Sequence, residues 1–225
     1  MEHYSNTKLR AYLKYKVLDL QEKGLSRVPD AVTELSEIEK LLLENNNLIE
    51  LPASINKLKN LIVLTLRNNK LTELPAEIGD LRELRELSLN NNQLVGLPTS
   101  IQRLTKLEEL YLSENKLTEL PAEIGDLSEL RWLIMSNNQL VGLPTSIQRM
   151  TKLETLCLDG NKLTELPAEI GDLRVRWVLR VDRNPLTVDA IRRALKLRKK
   201  GVRVSGVAGK HSGYYSYLEV RKNPR

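Results

Sequence analysis

Hydrophobic and polar positions recur along this chain with a period of 23 residues. Asparagine stands at every twenty-third position from Asn46 to Asn184, and proline keeps the same spacing from Pro29 to Pro167. One period before Asn46 lies Lys23, inside the similar string LDLQEKGL, so the chain holds eight copies of the unit. A period of this length predicts a solenoid in which one supersecondary unit is stacked and the terminal copies differ from the rest.

Each copy joins two hydrophobic periods in the pattern L-x-x-L-x-L-x-x-N-x-L-x-x-L-P-x-x-I-x-x-L. Alternation around Leu87 and Leu89 predicts a strand that turns these leucines inward and exposes Glu86, Ser88 and Asn90. After the proline the apolar spacing becomes three, which predicts a short helical or 3-10 turn on the outer face. Proline suits the first position of such a turn because its missing N–H would have no partner there.

Over residues 15–190 this pattern resembles the leucine-rich-repeat family. The L-P-x-x-I-x-x-L segment is similar to the intracellular subclass of Ras-suppressor, Scribble-like and plant intracellular Ras-group-related proteins. The resemblance implies an α/β solenoid, curved and right-handed, with about eight parallel strands on its concave side and helical or 3-10 turns on its convex side. It also implies that Asn46 to Asn184 form a ladder that satisfies backbone groups after each strand. The implied function is protein binding, with a small Ras-like GTPase or another signalling protein as the class of partner.

A second period of 46 residues overlies the first. The string QLVGLPTSIQR occurs at 93–103 and 139–149, and TELPAEIGDL occurs at 72–81, 118–127 and 164–173. These near-identical segments lie on the outer turns. We therefore expect the differences that select a partner to lie on the strands.

The two ends of the chain depart from the repeat and are predicted to cap it, because a stacked array exposes apolar edges. We expect four regions: an N-terminal helical cap (1–16), eight repeats (17–186), a C-terminal cap of helix and short strand (187–204), and a basic tail with tyrosines (205–225). A helix starting at Ser5 or Asn6 would place on one face Leu9, Tyr12, Leu13 and, as a further candidate, Tyr15.

At the C-terminus, Thr187 is predicted to cap a helix to about Lys200, followed by a short alternating segment, 202–204. Its inward residues are expected to be Val188, Ile191, Ala194 and Leu195. Arg176 stands where the first leucine of the last repeat belongs, which leaves open whether Trp177 is buried or exposed.

Charge is distributed unevenly along the chain. Residues 174–225 contain 15 Lys or Arg and three acids, a balance of +12 against +6 for the whole chain, so residues 1–173 carry −6. Residues 187–225 also contain three tyrosines, so this segment is an alternative site for nucleic acid or an anionic membrane surface. We favour a solvated helix face over that alternative. The basic cluster is Arg192, Arg193, Lys196, Arg198, Lys199 and Lys200.

Residues that carry catalytic or metal chemistry are scarce. The only histidines are His3 and His211, and Cys157 is the single cysteine, so the repeats contain no catalytic His set and no zinc-ligand spacing. We expect a non-enzymatic monomer with no cofactor or metal. The single cysteine and the lack of a leader-like apolar stretch predict a cytoplasmic protein.

The outward residues of the strands form columns across the predicted sheet, and these columns contain the candidate binding site. Tyr111, Trp132 and Ile134 fall on adjacent strands about 4.8 Å apart, which predicts an exposed apolar patch with the composition of a protein-binding hot spot. The alternative is that the aromatic residues only stabilise cross-strand pairs. Cys157, beside the patch, is expected to be a small neutral surface residue. The predicted rim of the patch is Glu86, Glu109, Arg131 and Thr155.

Overall fold

The computed structural model describes residues 6–172, 178–199 and 201–206, and within them a single ten-stranded sheet runs the length of the solenoid. The strands follow one another in sequence order, without crossing over. They are β1 (Leu13–Lys14), β2 (Val17–Asp19), β3 (Lys40–Leu42), β4 (Val63–Thr65), β5 (Glu86–Ser88), β6 (Glu109–Tyr111), β7 (Trp132–Ile134), β8 (Thr155–Cys157), β9 (Val178–Arg180) and β10 (Arg203–Ser205).

The eight repeat strands, β2 to β9, are parallel, and each pairs with residues 23 positions away, as in Leu87 opposite Leu110. This confirms the predicted leucine-rich-repeat solenoid with its parallel sheet. The sheet has ten strands rather than eight because both ends extend it. β10 pairs parallel with β9, and β1 pairs antiparallel with β2.

A short 3-10 helix follows the proline of seven successive repeats, on the opposite side from the sheet. In each of the first six, the proline lies one position before the turn and has an extended backbone, with φ of −61° to −70° and ψ of 136° to 149°. Proline was predicted at the first position of the turn, but it lies one residue before that position. Proline contributes its carbonyl instead, which accepts the first 3-10 hydrogen bond, as from Ile55 N at 3.0 Å. The turns are Asp30–Glu34, Ala53–Lys57, Ala76–Asp80, Thr99–Arg103, Ala122–Asp126, Thr145–Arg149 and Ala168–Asp172.

The core lies between the sheet and these turns and is a continuous stack of leucine and isoleucine. Leu87, Leu89, Leu110 and Ile101 are all fully buried, which confirms the inward assignment of the strand leucines. Because each repeat buries its leucines against both neighbours, no single repeat has a core of its own.

The repeated asparagine is buried in six repeats, from Asn46 to Asn161, and half-buried at Asn184, and it satisfies the backbone where the chain bends after the strand. The Oδ1 atom of Asn115 accepts a hydrogen bond from Leu94 N at 3.0 Å. Its Nδ2 group donates to the carbonyl oxygens of Leu89 at 2.9 Å and Leu112 at 3.0 Å. Each amide thus ties its own repeat to the preceding one. The ladder that the resemblance implied is present from Asn46 to Asn184.

The 46-residue period has a steric cause on the convex side. A Cβ atom added to Gly79 would lie 2.3 Å from the carbonyl oxygen of Ser100, and one added to Gly125 would lie 2.3 Å from that of Ser146. The TELPAEIGDL repeats therefore need glycine where the next repeat, TSIQR, places its serine against them.

Charges show the same alternation between the two kinds of repeat. Asp80 pairs with Arg103 at 3.2 Å, and Asp126 pairs with Arg149. Each pair joins residues 23 positions apart, so an acidic turn is followed by a basic one. Since the partners are exposed, each pair contributes little stability on its own.

The N-terminal helix α1 (Asn6–Tyr12) packs against the first repeat and ends earlier than predicted. Leu9 is buried and Tyr12 is half-buried, but Leu13 already belongs to β1. Tyr15 and Lys16 have φ of 51° and 62° and form the tight turn between β1 and β2. Tyr15 is therefore 87% exposed, and its placement on the buried helix face was wrong.

The C-terminal helix α2 (Val188–Lys199) begins as predicted, because the hydroxyl of Thr187 accepts a hydrogen bond from Ala190 N at 3.3 Å. Its buried face was predicted only in part. Ala190, Ala194 and Leu197 are buried, whereas Val188 in the first turn is exposed to solvent. Within the described residues, α1 and α2 both lack the length and apolar character needed to cross a bilayer. Arg176, Trp177 and the tail from 207 onward lie outside the described residues, and the division into four regions stays a prediction.

Replacing Leu110 by alanine is expected to lower the free energy of unfolding by about 2–5 kcal/mol, because the substitution removes buried surface and leaves a cavity. Chemical denaturation of Leu110→Ala beside the exposed control Gln102→Ala measures this difference. A loss of only a few tenths of a kcal/mol in Leu110→Ala would contradict the packing described above.

Replacing Asn46 by alanine is expected to cost about 1–3 kcal/mol for each buried backbone group that it leaves unpaired. Asn46 accepts from Leu25 N at 2.9 Å and donates to Leu20 O at 2.8 Å. Its exposed neighbour is the matched control, because Asn47→Ala keeps the backbone bond from Asn47 N to Leu25 O. Equal unfolding midpoints for the two variants would show that the ladder does not stabilise the fold.

Candidate protein-binding surface

The concave face carries three columns of outward side chains in the predicted register. The middle column, one residue from each strand, is more buried than the sequence indicated. Ser88 and Thr65, expected to be exposed, are both buried. A side chain in the middle column is covered by the two columns beside it and by both neighbouring strands, so even a small residue there has little contact with solvent.

Tyr111 belongs to this middle column, and its predicted exposure was wrong. Its side chain is only 3% exposed, and its hydroxyl donates a hydrogen bond to the Glu109 carboxylate on the same strand. Ser88 and Ile134 lie on either side of it in register. Tyr111 is therefore covered by its neighbours and bonded to Glu109 on its own strand, and it offers little surface to a partner.

Trp132 and Ile134 are both half-buried and lie on the same face of β7. Between them, Leu133 points into the core and is fully buried. Trp132 stands in register with Glu109 and Thr155, and Ile134 with Tyr111 and Cys157. These two side chains are the part of the predicted patch that reaches solvent, and we call them the β7 apolar pair.

The predicted rim residues fall into different places. Arg131, beside Trp132, is exposed and directs its Nε and Nη2 atoms to Glu154 Oε1 at 2.9 and 2.6 Å. That hydrogen bond raises the pKa of the Arg131 guanidinium further above its ordinary value. Glu109 is half-buried and lies in register with Trp132, whereas Glu86, also half-buried, lies one strand further away, opposite Glu109. Thr155 is buried and adds little surface.

Cys157 is buried beside Ile134, so the expectation of a surface cysteine was wrong, although the expected neutral thiol is correct. Burial, with a contribution from the carboxylate of Asp159, raises the pKa of the thiol to about 12. The thiol is therefore protonated at neutral pH and is a poor nucleophile.

A polar row beside the middle column was not predicted as a feature. The Oγ of Ser136 donates to Asp159 Oδ2 at 3.0 Å, and Arg180 Nε approaches the same oxygen at 3.2 Å. The carboxylate of Asp182 lies next to that of Asp159 and accepts a hydrogen bond from Ser205 on β10. The row thereby links three repeats to the C-terminal strand. The alternation of the strand sequence showed these residues facing outward, but not that they would contact one another.

Asp159 is 2% exposed, and this burial raises the pKa of its carboxyl. The adjacent Asp182 adds to the rise, while Arg180 opposes it. The carboxyl of Asp159 therefore holds its proton more tightly than an ordinary aspartate does.

Other chemistry is limited in the described part of the chain. No three histidine, cysteine, aspartate or glutamate side chains there come close enough to hold a metal ion. In the basic helix α2, Arg192 pairs with Asp189 at 2.8 Å and Arg193 pairs with Glu165 at 3.4 Å. These ion pairs reduce the positive charge that the helix offers to a nucleic acid or membrane.

The raised pKa of Asp159 predicts a pH dependence of stability. The folded state binds the proton more tightly than the unfolded chain, whose aspartate titrates near pH 3.9. Stability from this group is therefore fully present below that pH and is lost as pH rises through the folded pKa. As pH falls from 7 to about 3.5, the melting temperature of the wild type should rise relative to that of Asp159→Asn.

The control for that series is Asp80→Asn, since Asp80 lies on the convex side next to Arg103. A constant difference between the melting temperatures of wild type and Asp159→Asn across this pH range would contradict the prediction.

Comparison with known families gives two matches, both to leucine-rich repeats. Residues 36–94 match the family described as leucine rich repeat. Residues 96–190 match the leucine-rich-repeat part of the family described as leucine-rich repeat and WD repeat-containing protein 1. No curated protein matches the chain.

Three solved structures are similar to the chain. A leucine-rich-repeat protein of Leptospira interrogans, LIC12759, is 33% identical over 84% of this chain and 59% of its own, with a TM-score of 0.48. The ectodomain of the Arabidopsis thaliana receptor kinase GASSHO1/SCHENGEN3 is 29% identical over 75% of this chain and 24% of its own, with a TM-score of 0.67. The internalin InlF of Listeria monocytogenes is 19% identical over 80% and 53%, with a TM-score of 0.67.

This chain therefore spans less than two thirds of each of these three structures. The receptor ectodomain and the internalin share its fold of stacked strands and turns. The 23-residue repeat, the parallel strands with their buried asparagines and the two family matches together show that this chain belongs to the leucine-rich-repeat family.

Proposed function

We propose that this chain is a non-catalytic scaffold or regulator that binds a partner protein through the concave face at the β7 apolar pair. One observation carries the proposal: Trp132 and Ile134 project together from β7 into solvent while the leucines beneath them already fill the core. The fold does not need a tryptophan on the solvent side of its sheet. A large aromatic residue in that position is typical of a binding hot spot.

The surroundings of the pair fit this role. Glu109 is held in place by the Tyr111 hydroxyl, and Arg131 is held by Glu154. Fixed side chains lose little conformational freedom when a partner binds. An apolar centre bordered by such charges is the usual arrangement of a protein interface, with the polar rim keeping water from the centre. The proposed partner thus presents an apolar side chain to Trp132 and polar groups to Glu109 and Arg131.

The family relationship supports the same class of function. Leucine-rich-repeat proteins are generally non-catalytic binding modules. The similar receptor ectodomain is in complex with CASPARIAN STRIP INTEGRITY FACTOR 2. A small Ras-like GTPase as partner, a cytoplasmic location and membership of the Ras-suppressor and Scribble-like subclass stay predictions of the sequence.

Truncation of Trp132 to alanine is expected to weaken binding of the native partner by about 2 kcal/mol or more, roughly thirtyfold in Kd, because a desolvated anchor is lost. Quantitative affinity capture from the native cell, followed by titration of the captured partner, measures the change. The melting temperature should fall by less in Trp132→Ala than in Leu110→Ala, because Trp132 is only half-buried.

The matched control is Gln148→Ala, an exposed position on the Thr145–Arg149 turn of the opposite face. This variant should bind the partner as wild type does. If Trp132→Ala binds normally while Gln148→Ala or removal of residues 187–225 abolishes binding, the concave-face proposal is wrong.

A further inference from the structure

A second surface, distinct from the concave face, exposes apolar side chains at one position of the repeat. Ile49, Val95 and Val141 are 58%, 59% and 61% exposed, and each lies 46 residues from the next. They stand three positions after the ladder asparagine, on the flank between the sheet and the convex turns. We call this surface the β-branched flank, because threonine holds the same position in the repeats that alternate with these, at 72, 118 and 164.

The residue after each exposed valine is a glycine that the fold does not require. A Cβ atom added to Gly96 or Gly142 would meet no atom within 4 Å, and neither residue has a positive φ. The intervening repeats carry glutamate there, at 73, 119 and 165. Gly79 and Gly125 differ, since packing within the chain demands them. A glycine without such a demand allows another backbone or side chain to approach closely.

Five successive pairs of positions on the flank form a part that reads the same in both directions along the solenoid, whereas Ile49, which is followed by Glu50, lies outside this symmetric part. From one repeat to the next it runs Thr72-Glu73, Val95-Gly96, Thr118-Glu119, Val141-Gly142 and Thr164-Glu165. A twofold rotation reverses the order of repeats and also the chain direction within each repeat. Under this rotation each Val-Gly pair meets a Gly-Val pair, so an exposed valine lies over an open glycine on both sides of an isologous contact.

In place of the monomer expected from the sequence, we propose that the β-branched flank binds a second copy of this chain across a twofold axis that passes beside Thr118 and Glu119. In this arrangement Val95 fills the space over Gly142 of the partner subunit, and Val141 fills the space over the partner's Gly96. The hydroxyl of Thr118 faces the carboxylate of the partner's Glu119 and donates a hydrogen bond to it. Each exposed valine thus packs against a glycine of the partner subunit. Glu119 faces a threonine rather than another glutamate, so the contact avoids repulsion between like charges.

Repeat spacing sets the size of this contact. Neighbouring repeats are about 4.8 Å apart, so the five pairs of positions cover roughly 20 Å. A contact of this length lies at the small end of protein interfaces, and the dimer is correspondingly weak and concentration-dependent. The concave face stays open in the dimer, so this inference does not depend on the proposed function.

Exchange between the two kinds of repeat tests the proposal without disturbing the fold. In the variant Val95→Thr, Gly96→Glu, Val141→Thr, Gly142→Glu, each altered repeat carries the pair that the intervening repeats already hold. Sedimentation equilibrium over a concentration series should show a wild-type dimer and a variant at least tenfold weaker. The reverse variant, Thr118→Val with Glu119→Gly, should dimerise more tightly than wild type.

The place of Thr118 next to the twofold axis allows a second test, by disulfide cross-linking. A cysteine at 118 meets its own symmetry mate, so Thr118→Cys should form an intermolecular disulfide on mild oxidation, whereas the convex-side control Gln102→Cys should not. Cys157 does not interfere, because it is buried. A wild type that stays monomeric throughout the series, an exchange variant that dimerises as wild type does, or equal cross-linking at 102 and 118 would overturn the proposal.

Discussion

Every turn of this solenoid depends on one buried amide. After each strand the chain bends sharply, which leaves backbone N–H and C=O groups away from both water and the sheet, and a buried unpaired group costs about 1–3 kcal/mol. The asparagine at the bend supplies a donor and an acceptor from one side chain, and it bonds to its own repeat and to the preceding one. The same residue thereby closes the bend and sets the 23-residue register of the strands. Leucine burial can then stack from repeat to repeat without slipping.

The two kinds of repeat are complementary to each other on the convex side. Gly79 and Gly125 pack against the serine of the next repeat, and Asp80 and Asp126 form ion pairs with its arginine. This pairing explains why a 46-residue unit, rather than a 23-residue one, recurs with so little change: a substitution in one turn would need a matching substitution in the next. The near identity of the outer turns reflects packing between neighbours. On the flank, where no such packing acts on Gly96 and Gly142, the same alternation leaves a surface that we assign to a second copy of the chain.

The concave face combines residues that hold the sheet together with residues that reach solvent. Four of the eight side chains in its middle column are buried, including Tyr111 and Cys157, and Asp159 in the next column is buried as well. The β7 apolar pair differs from Tyr111 because both of its side chains, Trp132 and Ile134, are only half-buried. Glu109 and Arg131 beside them are fixed by Tyr111 and Glu154, so a rigid site borders the pair.

The sequence by itself determined the solenoid, the strand register, the inward leucines and the columns on the concave face, because a fixed period repeats one local rule in every unit. Tertiary structure alone decided how deeply each outward residue is buried. Tyr111 and Thr155 alternate outward like Trp132, yet they are covered because burial depends on neighbours 23 residues away and on side-chain size. The ends were also decided by tertiary contacts, since Tyr15 lies in a hairpin turn and Val188 faces solvent where helical spacing placed both on buried faces. A terminal element packs on one side only, so no repeat on its far side fixes its orientation.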